Sequence, residues 1–279
     1  MSPEPEPFSN QYSWGSPDGG EVLGDLTSLP FGRRDNVPRN VIENVPAEDN
    51  GTTGIEIKLG DVRVHRAPAA VTDALRYLLT RSEEMPARLA VTSAIHGEGT
   101  TTISRTLAAL IANDFRQSTC WIDLNWAKSK RARREAGLVD TTIMDVLQGS
   151  APVDSMVMPT SIPGLSFASS GSVAVGHRPM VARSAALREL IDDLGKRFDH
   201  IILDLPPVLA TSDTLTLGHL ADAYLLVVRY GTTPVTQVRG AMHTMAAIPN
   251  VGAILNAVET HVPRWLRPAD EGWSPGYQD

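Results

Sequence analysis

The sequence is short of cysteine and has no long apolar run. Cys120 is the one cysteine among 279 residues, which excludes a disulfide within the chain and the paired thiolate ligands of a bridging metal cluster. No apolar run approaches the ~18 residues typical of a membrane-spanning helix, and the first residues lack the charged-then-apolar pattern of a secretory signal. We therefore expect a cytoplasmic protein in which Cys120 is a small buried hydrophobic residue.

Positive charge is also in short supply. The chain has 25 Lys and Arg residues against 32 Asp and Glu residues, a net charge of −7 and a pI near 5.5. Nonspecific binding to nucleic acid depends on Lys and Arg side chains that neutralise phosphates. The charge balance therefore argues against nucleic acid as a partner.

The start of the chain lacks apolar periodicity. Residues 1–65 are rich in Pro, Gly, Asn and acidic residues, a composition that buries too little apolar surface to offset the entropy of ordering. We predict a mostly disordered arm over residues 1–65, one folded nucleotide-binding domain over 66–262 and a flexible tail over 263–279. A short strand is expected to lead into the domain, because apolar and polar residues alternate around Ile55, Ile57, Val62 and Val64.

Strand and helix patterns alternate within the domain. Helices are predicted over residues 71–79, 103–115, 143–147 (capped by residues 140–142) and 187–194, and again from Pro234 behind a Thr233 cap. Strands are predicted over residues 89–93, 118–123, 165–168, 200–204, 224–228 and 251–256. Such alternation, without repeats of fixed period, predicts an α/β fold with a doubly wound, mostly parallel sheet.

A phosphate-binding loop without its lysine follows the first strand of the domain. In the frame G-x-x-x-x-G-K-[ST], backbone N–H groups cradle phosphates and the Ser or Thr hydroxyl meets Mg²⁺. Here Ala94 takes the place of the first glycine, Thr100 that of the lysine and Thr101 that of the hydroxyl residue. The following helix puts the loop amides at a helix N-terminus, where anions bind. The candidate nucleotide-binding residues are His96, Gly97, Glu98, Gly99, Thr100, Thr101 and Thr102.

A tight strand-to-helix connection is the alternative interpretation of this loop. The context favours a nucleotide site, because two further predicted strands end in carboxylates, Asp123 and Asp204. Acidic residues at the carboxyl ends of parallel strands lie in the crevice where open α/β sheets bind ligands. Either carboxylate alone would more simply end a strand and cap a turn. Together with the loop, they are candidate catalytic and metal-binding residues.

These motifs resemble those of the bacterial tyrosine kinases of capsule and exopolysaccharide export. The resemblance lies in residues 93–99, 123–125 and 202–207, in that order, and spans about residues 68–260. The segment 251–256, which ends at Asn256, is also similar. A helix with Asp73 and Arg76 is placed like the family's E-x-x-R-x-x-R oligomerisation helix.

The resemblance implies a P-loop fold of the partitioning-ATPase-like branch that binds ATP or ADP with Mg²⁺. In that case Thr101 places the metal, Asp204 holds it through water, and Asp123 contacts the metal or takes a proton from an attacking tyrosine. Asn256 joins the nucleotide site. The implied partners are a transmembrane polysaccharide co-polymerase or adaptor, which would recruit the protein to the inner face of the membrane. A homo-oligomer through the Asp73 and Arg76 helix is implied as well.

Four departures from the family pattern weaken the inference of kinase activity. Thr100 replaces the lysine, Asn125 the second acid of an Asp-x-Asp pair and Leu79 the last arginine of the oligomerisation motif, and the tail carries only Tyr277 where the kinases carry a tyrosine cluster. Replacement cations are available in His96 and in a basic run, although such a run is commonly a solvated surface. The run comprises Lys128, Lys130, Arg131, Arg133 and Arg134.

Three functions therefore stay open at the level of sequence. The first is a tyrosine kinase with weakened or lost phosphotransfer. The second is a pseudokinase that senses nucleotide and regulates a polysaccharide co-polymerase. The third, a positioning ATPase, is disfavoured by the acidic charge and by Ile95, which stands where those loops carry an extra lysine.

Overall fold

The computed structural model of the chain describes residues 41–46, 54–81, 85–126, 141–171 and 173–258. Most of the predicted arm, the basic run from Lys128 to Arg134 and the predicted tail with Tyr277 lie outside the described residues.

The secondary structure alternates between strands and helices through most of the described chain. The strands are β1 Val41–Pro46, β2 Glu56–Leu59, β3 Val62–Arg66, β4 Arg88–Ser93, β5 Thr119–Asp123, β6 Val157–Pro159, β7 Leu165–Ser169, β8 His200–Asp204, β9 Ala223–Arg229 and β10 Asn250–Val258. The helices are α1 Ala69–Arg81, α2 Thr100–Asp114, α3 Ile143–Leu147, α4 Val153–Met156, α5 Arg178–Ala182, α6 Ala185–Gly195, α7 Asp213–Gly218 and α8 Val235–Thr244, with a 3₁₀ turn at Val175–His177.

Eight of these strands form one sheet in the order β1-β10-β9-β4-β8-β5-β7-β6. Every neighbouring pair is parallel except β6 and β7. Strand β4 lies between β9 and β8, so the loop after β4 is flanked by the carboxyl ends of both. The predicted α/β fold with a mostly parallel, doubly wound sheet is confirmed.

Apolar cores lie on both faces of the sheet. In β8, Ile201 and Leu203 belong to the core on one face, whereas Ile202 belongs to the core on the other. Successive side chains of a strand point to opposite faces, so a strand covered on both sides needs apolar residues throughout. This is why β8 and β9 appear in the sequence as unbroken apolar runs.

The N-terminal part of the described chain departs from the sequence expectations. In place of one short strand, β2 and β3 form an antiparallel hairpin, and Ile57 and Leu59 are buried in the core that contains α2. Strand β1 pairs in parallel with β10 and forms the edge of the sheet beside it. Strands β1 and β2 and all of β3 except Arg66 lie within residues 1–65, the predicted arm, and the domain limits remain a prediction.

The start of α8 also differs from the prediction. Pro234 is the N-cap residue and not the first helical residue, and no side chain caps this helix end. The Thr233 hydroxyl donates instead to the carboxylate of Glu98. In contrast, the predicted cap at Thr142 is confirmed, because Thr142 and Asp145 form a capping box. Within the described ranges, no helix is long and apolar enough to cross a membrane.

A half-buried histidine joins the hairpin to α2. The Nε2 atom of His65 lies 3.0 Å from the Thr106 hydroxyl in a hydrogen bond, and Arg105 donates to the carbonyl of Val64 at 3.0 Å. Burial lowers the pKa of His65 to about 3, and the positive charge of Arg105 acts in the same direction. His65 is therefore neutral in the folded protein at physiological pH.

We expect His65 to make folding stability sensitive to acid. Between about pH 3 and 6.5 the unfolded chain binds a proton at this residue that the folded chain does not, so stability falls as the pH drops through this window. By about pH 5 the loss attributable to His65 is about 2 kcal/mol. Urea unfolding at neutral pH and at about pH 5 measures it. His65→Gln should reduce the difference, whereas the exposed control His243→Gln should not; equal pH dependence in both variants and the wild type would contradict this account.

Candidate functional site

The loop between β4 and α2 has the backbone shape of a phosphate cradle. Gly97 and Gly99 have φ angles of 84° and 94°, in the left-handed region that favours glycine. Gly99 is the N-cap of α2, whose 15 residues give the helix a strong N-terminus. A Cβ atom at Gly99 would lie 2.1 Å from Nδ2 of Asn256. Only glycine fits there, and the amides of the first helical turn are available to an anion.

Glu98 points into the protein and fixes the loop. Its side chain is 1% exposed, and its carboxylate accepts hydrogen bonds from the N–H groups of Ile95 at 2.8 Å and Arg229 at 3.1 Å and from the hydroxyl of Thr233. The Asn256 amide donates to the main-chain carbonyl of Glu98 at 2.8 Å. The sequence suggested Glu98 as a nucleotide ligand; its carboxylate is instead occupied by loop and sheet donors.

The two candidate carboxylates lie side by side. Asp123 and Asp204 are paired residues of the neighbouring strands β5 and β8, and both are buried. Thr101, in the first turn of α2, donates its hydroxyl to Oδ2 of Asp204 at 2.8 Å. Asp123 accepts the N–H of Asn125 at 3.0 Å. A hydroxyl and two carboxylates are the hard oxygen ligands that Mg²⁺ prefers, usually together with several waters.

The remaining predicted site residues occupy the same edge of the sheet. His96 and Gly97 are exposed on the loop. Thr100 is buried, with 7% of its surface exposed, and offers no charge. The carbonyl of Thr102 accepts the Thr106 hydroxyl. Asn256 lies on β10 against the loop, so the fold gathers all the predicted site residues at the carboxyl ends of the strands.

Sequence reasoning missed a cation beside the loop. Arg229 ends β9, and β9 runs next to β4 with Val227 opposite Ser93. The Nη1 atom of Arg229 donates to the carbonyl of Gly97 at 3.4 Å. The available signal was a charged residue at the end of the apolar run 224–228. Its significance depends on the strand order, which the sequence does not display.

Curated bacterial tyrosine kinases and solved kinase domains are similar to this chain, while no protein-family model matches it. Tyrosine-protein kinase etk of Escherichia coli (strain K12) is 27% identical over 172 residues, which cover 61% of this chain and 23% of that protein. Tyrosine-protein kinase CpsD of Streptococcus agalactiae (serotype III, strain NEM316) is 25% identical over 213 residues, which cover 75% of this chain and 91% of CpsD.

The solved kinase domain of Escherichia coli ETK has the same fold. Its TM-score is 0.65 at 24% identity, with 84% of this chain and 94% of that domain covered. The chain spans less than a quarter of the length of etk, of which 23% is matched. These similarities agree with the resemblance that the loop and the strands ending in Asp123 and Asp204 show in the sequence. By sequence and by fold, the chain is similar to bacterial tyrosine kinases, and these similarities support the family of capsule and exopolysaccharide biosynthesis to which its motifs point.

Proposed function

We propose that this protein binds ATP or ADP with Mg²⁺ at the loop and that its transfer of phosphate to tyrosine is slow or lost. The observation that carries the proposal is a contrast within one helical turn. Thr101 keeps its hydroxyl contact with Asp204 at 2.8 Å, whereas Thr100 replaces the lysine that would grip the outer phosphates.

Binding of nucleotide is supported by groups that do not depend on the lysine. The loop amides and the α2 N-terminus attract phosphate through the backbone alone. Thr101 and Asp204 would hold the metal, with Asp123 beside them, and Asn256 borders the cradle through its contact with Glu98. Bound Mg²⁺ would neutralise phosphate charge and orient the outer phosphates.

Loss of the lysine weakens binding less than catalysis. A hydrogen bond to a charged group contributes roughly 1.5–3 kcal/mol, so affinity falls ~10- to 100-fold without it. Loss of one preorganised transition-state donor costs on the order of 10²–10³ in rate. The resulting protein would bind nucleotide and turn it over slowly or not at all.

The second candidate is a regulator that senses nucleotide without transferring phosphate. Buried Thr100 favours it, since no charge enters the site from that position. In either case we propose that the protein works at the inner face of the membrane with a transmembrane polysaccharide co-polymerase or adaptor. ATP turnover distinguishes a slow kinase from a regulator.

Thr100→Lys should restore the missing charge. With Asp123 and Asp204 in place, we expect ATP affinity to rise by roughly 1.5–3 kcal/mol and hydrolysis or tyrosine phosphorylation to increase. Titration calorimetry and an ATP turnover assay with Mg²⁺ measure the two effects. Thr100→Met is the matched control, because it lengthens the side chain without adding charge.

Two results would contradict this prediction. Robust turnover by the wild type with no gain from lysine would remove the argument for weakened phosphotransfer. Inactivity of both forms, with nucleotide still bound, would instead favour the regulator and place the defect at Asn125 or in an absent partner.

Glu98→Gln should weaken nucleotide binding by about tenfold. In either orientation, the NH2 group of the glutamine would face a backbone N–H, of Ile95 or of Arg229, that now donates to the Glu98 carboxylate. An unsatisfied buried polar group costs about 1–3 kcal/mol. Thr233→Val should have a smaller effect, because Ile95 and Arg229 would still donate to Glu98. Because Glu98 and Thr233 share one hydrogen bond, the two losses should be less than additive in the double variant. Calorimetry and urea unfolding measure them; unchanged affinity in Glu98→Gln would show that the loop keeps its shape without this carboxylate.

The proposed oligomer surface includes an ion pair within the chain. Arg76 donates to Asp114 of α2 at 2.7 Å and to Asp73 at 3.3 Å, and hydrogen bonding to Asp114 raises the pKa of Arg76 further. The side chains of Arg76 and Asp73 are 46% and 72% exposed, so the pair alone contributes roughly 0–1 kcal/mol to stability. This leaves the helix face accessible to a second copy.

Arg76→Glu should therefore shift any oligomer towards monomer, because it reverses the charge on the proposed contact. Sedimentation velocity measures the shift, and Arg76→Gln, which removes the charge without reversing it, should show a smaller effect. If the wild type oligomerises and the distribution does not change in Arg76→Glu, the residue serves only the contact between α1 and α2.

A further inference from the structure

Arg229 contacts the phosphate loop through both its main chain and its side chain. Its main-chain N–H donates to the buried carboxylate of Glu98 at 3.1 Å, and its Nη1 atom donates to the carbonyl of Gly97 at 3.4 Å. Arg229 thus contacts two consecutive loop residues. The main-chain hydrogen bond holds Arg229 in position. The side-chain hydrogen bond is long and therefore weak, so little energy is lost when the guanidinium turns to another acceptor.

The guanidinium lies on the open side of the loop. Arg229 is exposed, and its strand neighbour Asn256 on β10 is the residue that contacts Glu98 and closes over Gly99. Asp123 and Asp204 lie on the other side of β4, on β5 and β8. The loop is therefore bordered by two carboxylates on one side and by a cation on the other.

We propose that Arg229 binds the phosphates of the nucleotide in place of the missing loop lysine. This inference rests on the proposed nucleotide site. A guanidinium is charged at any physiological pH and can donate two parallel hydrogen bonds to a phosphate. The imidazole of His96, the other candidate on the loop, cannot donate such a parallel pair of hydrogen bonds. Arg229 is a binding residue for the β- and γ-phosphates and supplies, from a neighbouring strand, part of the charge that the lysine would give.

Nucleotide titration of the full chain with Mg²⁺ tests this role. Arg229→Gln should weaken ATP binding about tenfold and leave AMP binding unchanged, because AMP has no β-phosphate. Arg229→Lys should retain part of the affinity. Lys196→Gln is the charge-matched control; Lys196 is exposed at the end of α6, before β8 starts, at the opposite edge of the sheet from the loop, and its removal should not change affinity.

The decisive variant combines Arg229→Gln with Thr100→Lys. If Arg229 supplies charge that Thr100 cannot, Arg229→Gln should cost less ATP affinity in the Thr100→Lys background than in the wild type. Thermal unfolding of each variant shows whether the fold is intact.

Four results would overturn the inference. Equal ATP affinity in the wild type and Arg229→Gln would show that the arginine does not contact phosphate. A parallel loss of AMP binding, or an equal loss of ATP affinity from Arg229→Gln in the Thr100→Lys background, would show that it only shapes the loop. An equal loss in Lys196→Gln would indicate a general effect of charge. Absence of any nucleotide binding by the wild type would reject the nucleotide site itself, and with it the phosphate-binding role of Arg229.

Discussion

The carboxylate of Glu98 organises the whole candidate site. It is 1% exposed and is stabilised by three donors, one from the loop at Ile95, one from β9 at Arg229 and one from the segment before α8 at Thr233. A buried carboxylate is costly unless hydrogen bonds replace its hydration. These donors meet that need only when the loop is folded back on β9, so the charge of Glu98 selects the cradle conformation.

The central position of β4 distributes the remaining site residues. Strand β8 brings Asp204 under the Thr101 hydroxyl at 2.8 Å, and β5 brings Asp123 level with Asp204. Strand β9, on the other side, brings Arg229 to the loop. The proposed metal-binding residues therefore lie next to a proposed phosphate-binding loop in which Thr100 stands at the position of the lysine. This asymmetry is the physical basis for proposing that the protein binds nucleotide better than it transfers phosphate.

Local patterns predicted the parts of the molecule that depend on neighbouring residues in sequence. Strand β8 at residues 200–204, the Thr142 cap and the glycine-rich loop all belong to this class. Features set by distant partners were not predictable in the same way. Strand β1 needs β10 as its partner, and the inward turn of Glu98 needs Thr233, which the sequence assigned to a helix cap. Arg229 reaches the loop because β9 lies beside β4, and the sequence does not display that strand order.

The account depends most directly on whether the loop binds nucleotide together with a metal. Calorimetric titration of the wild-type chain with ADP, in the presence and absence of Mg²⁺, measures this. We expect submillimolar binding that Mg²⁺ strengthens and that loses its Mg²⁺ dependence in Asp204→Asn, since Asp204 and Thr101 form the proposed metal site. No binding at millimolar ADP under either condition, or binding indifferent to Mg²⁺ in the wild type, would contradict the account.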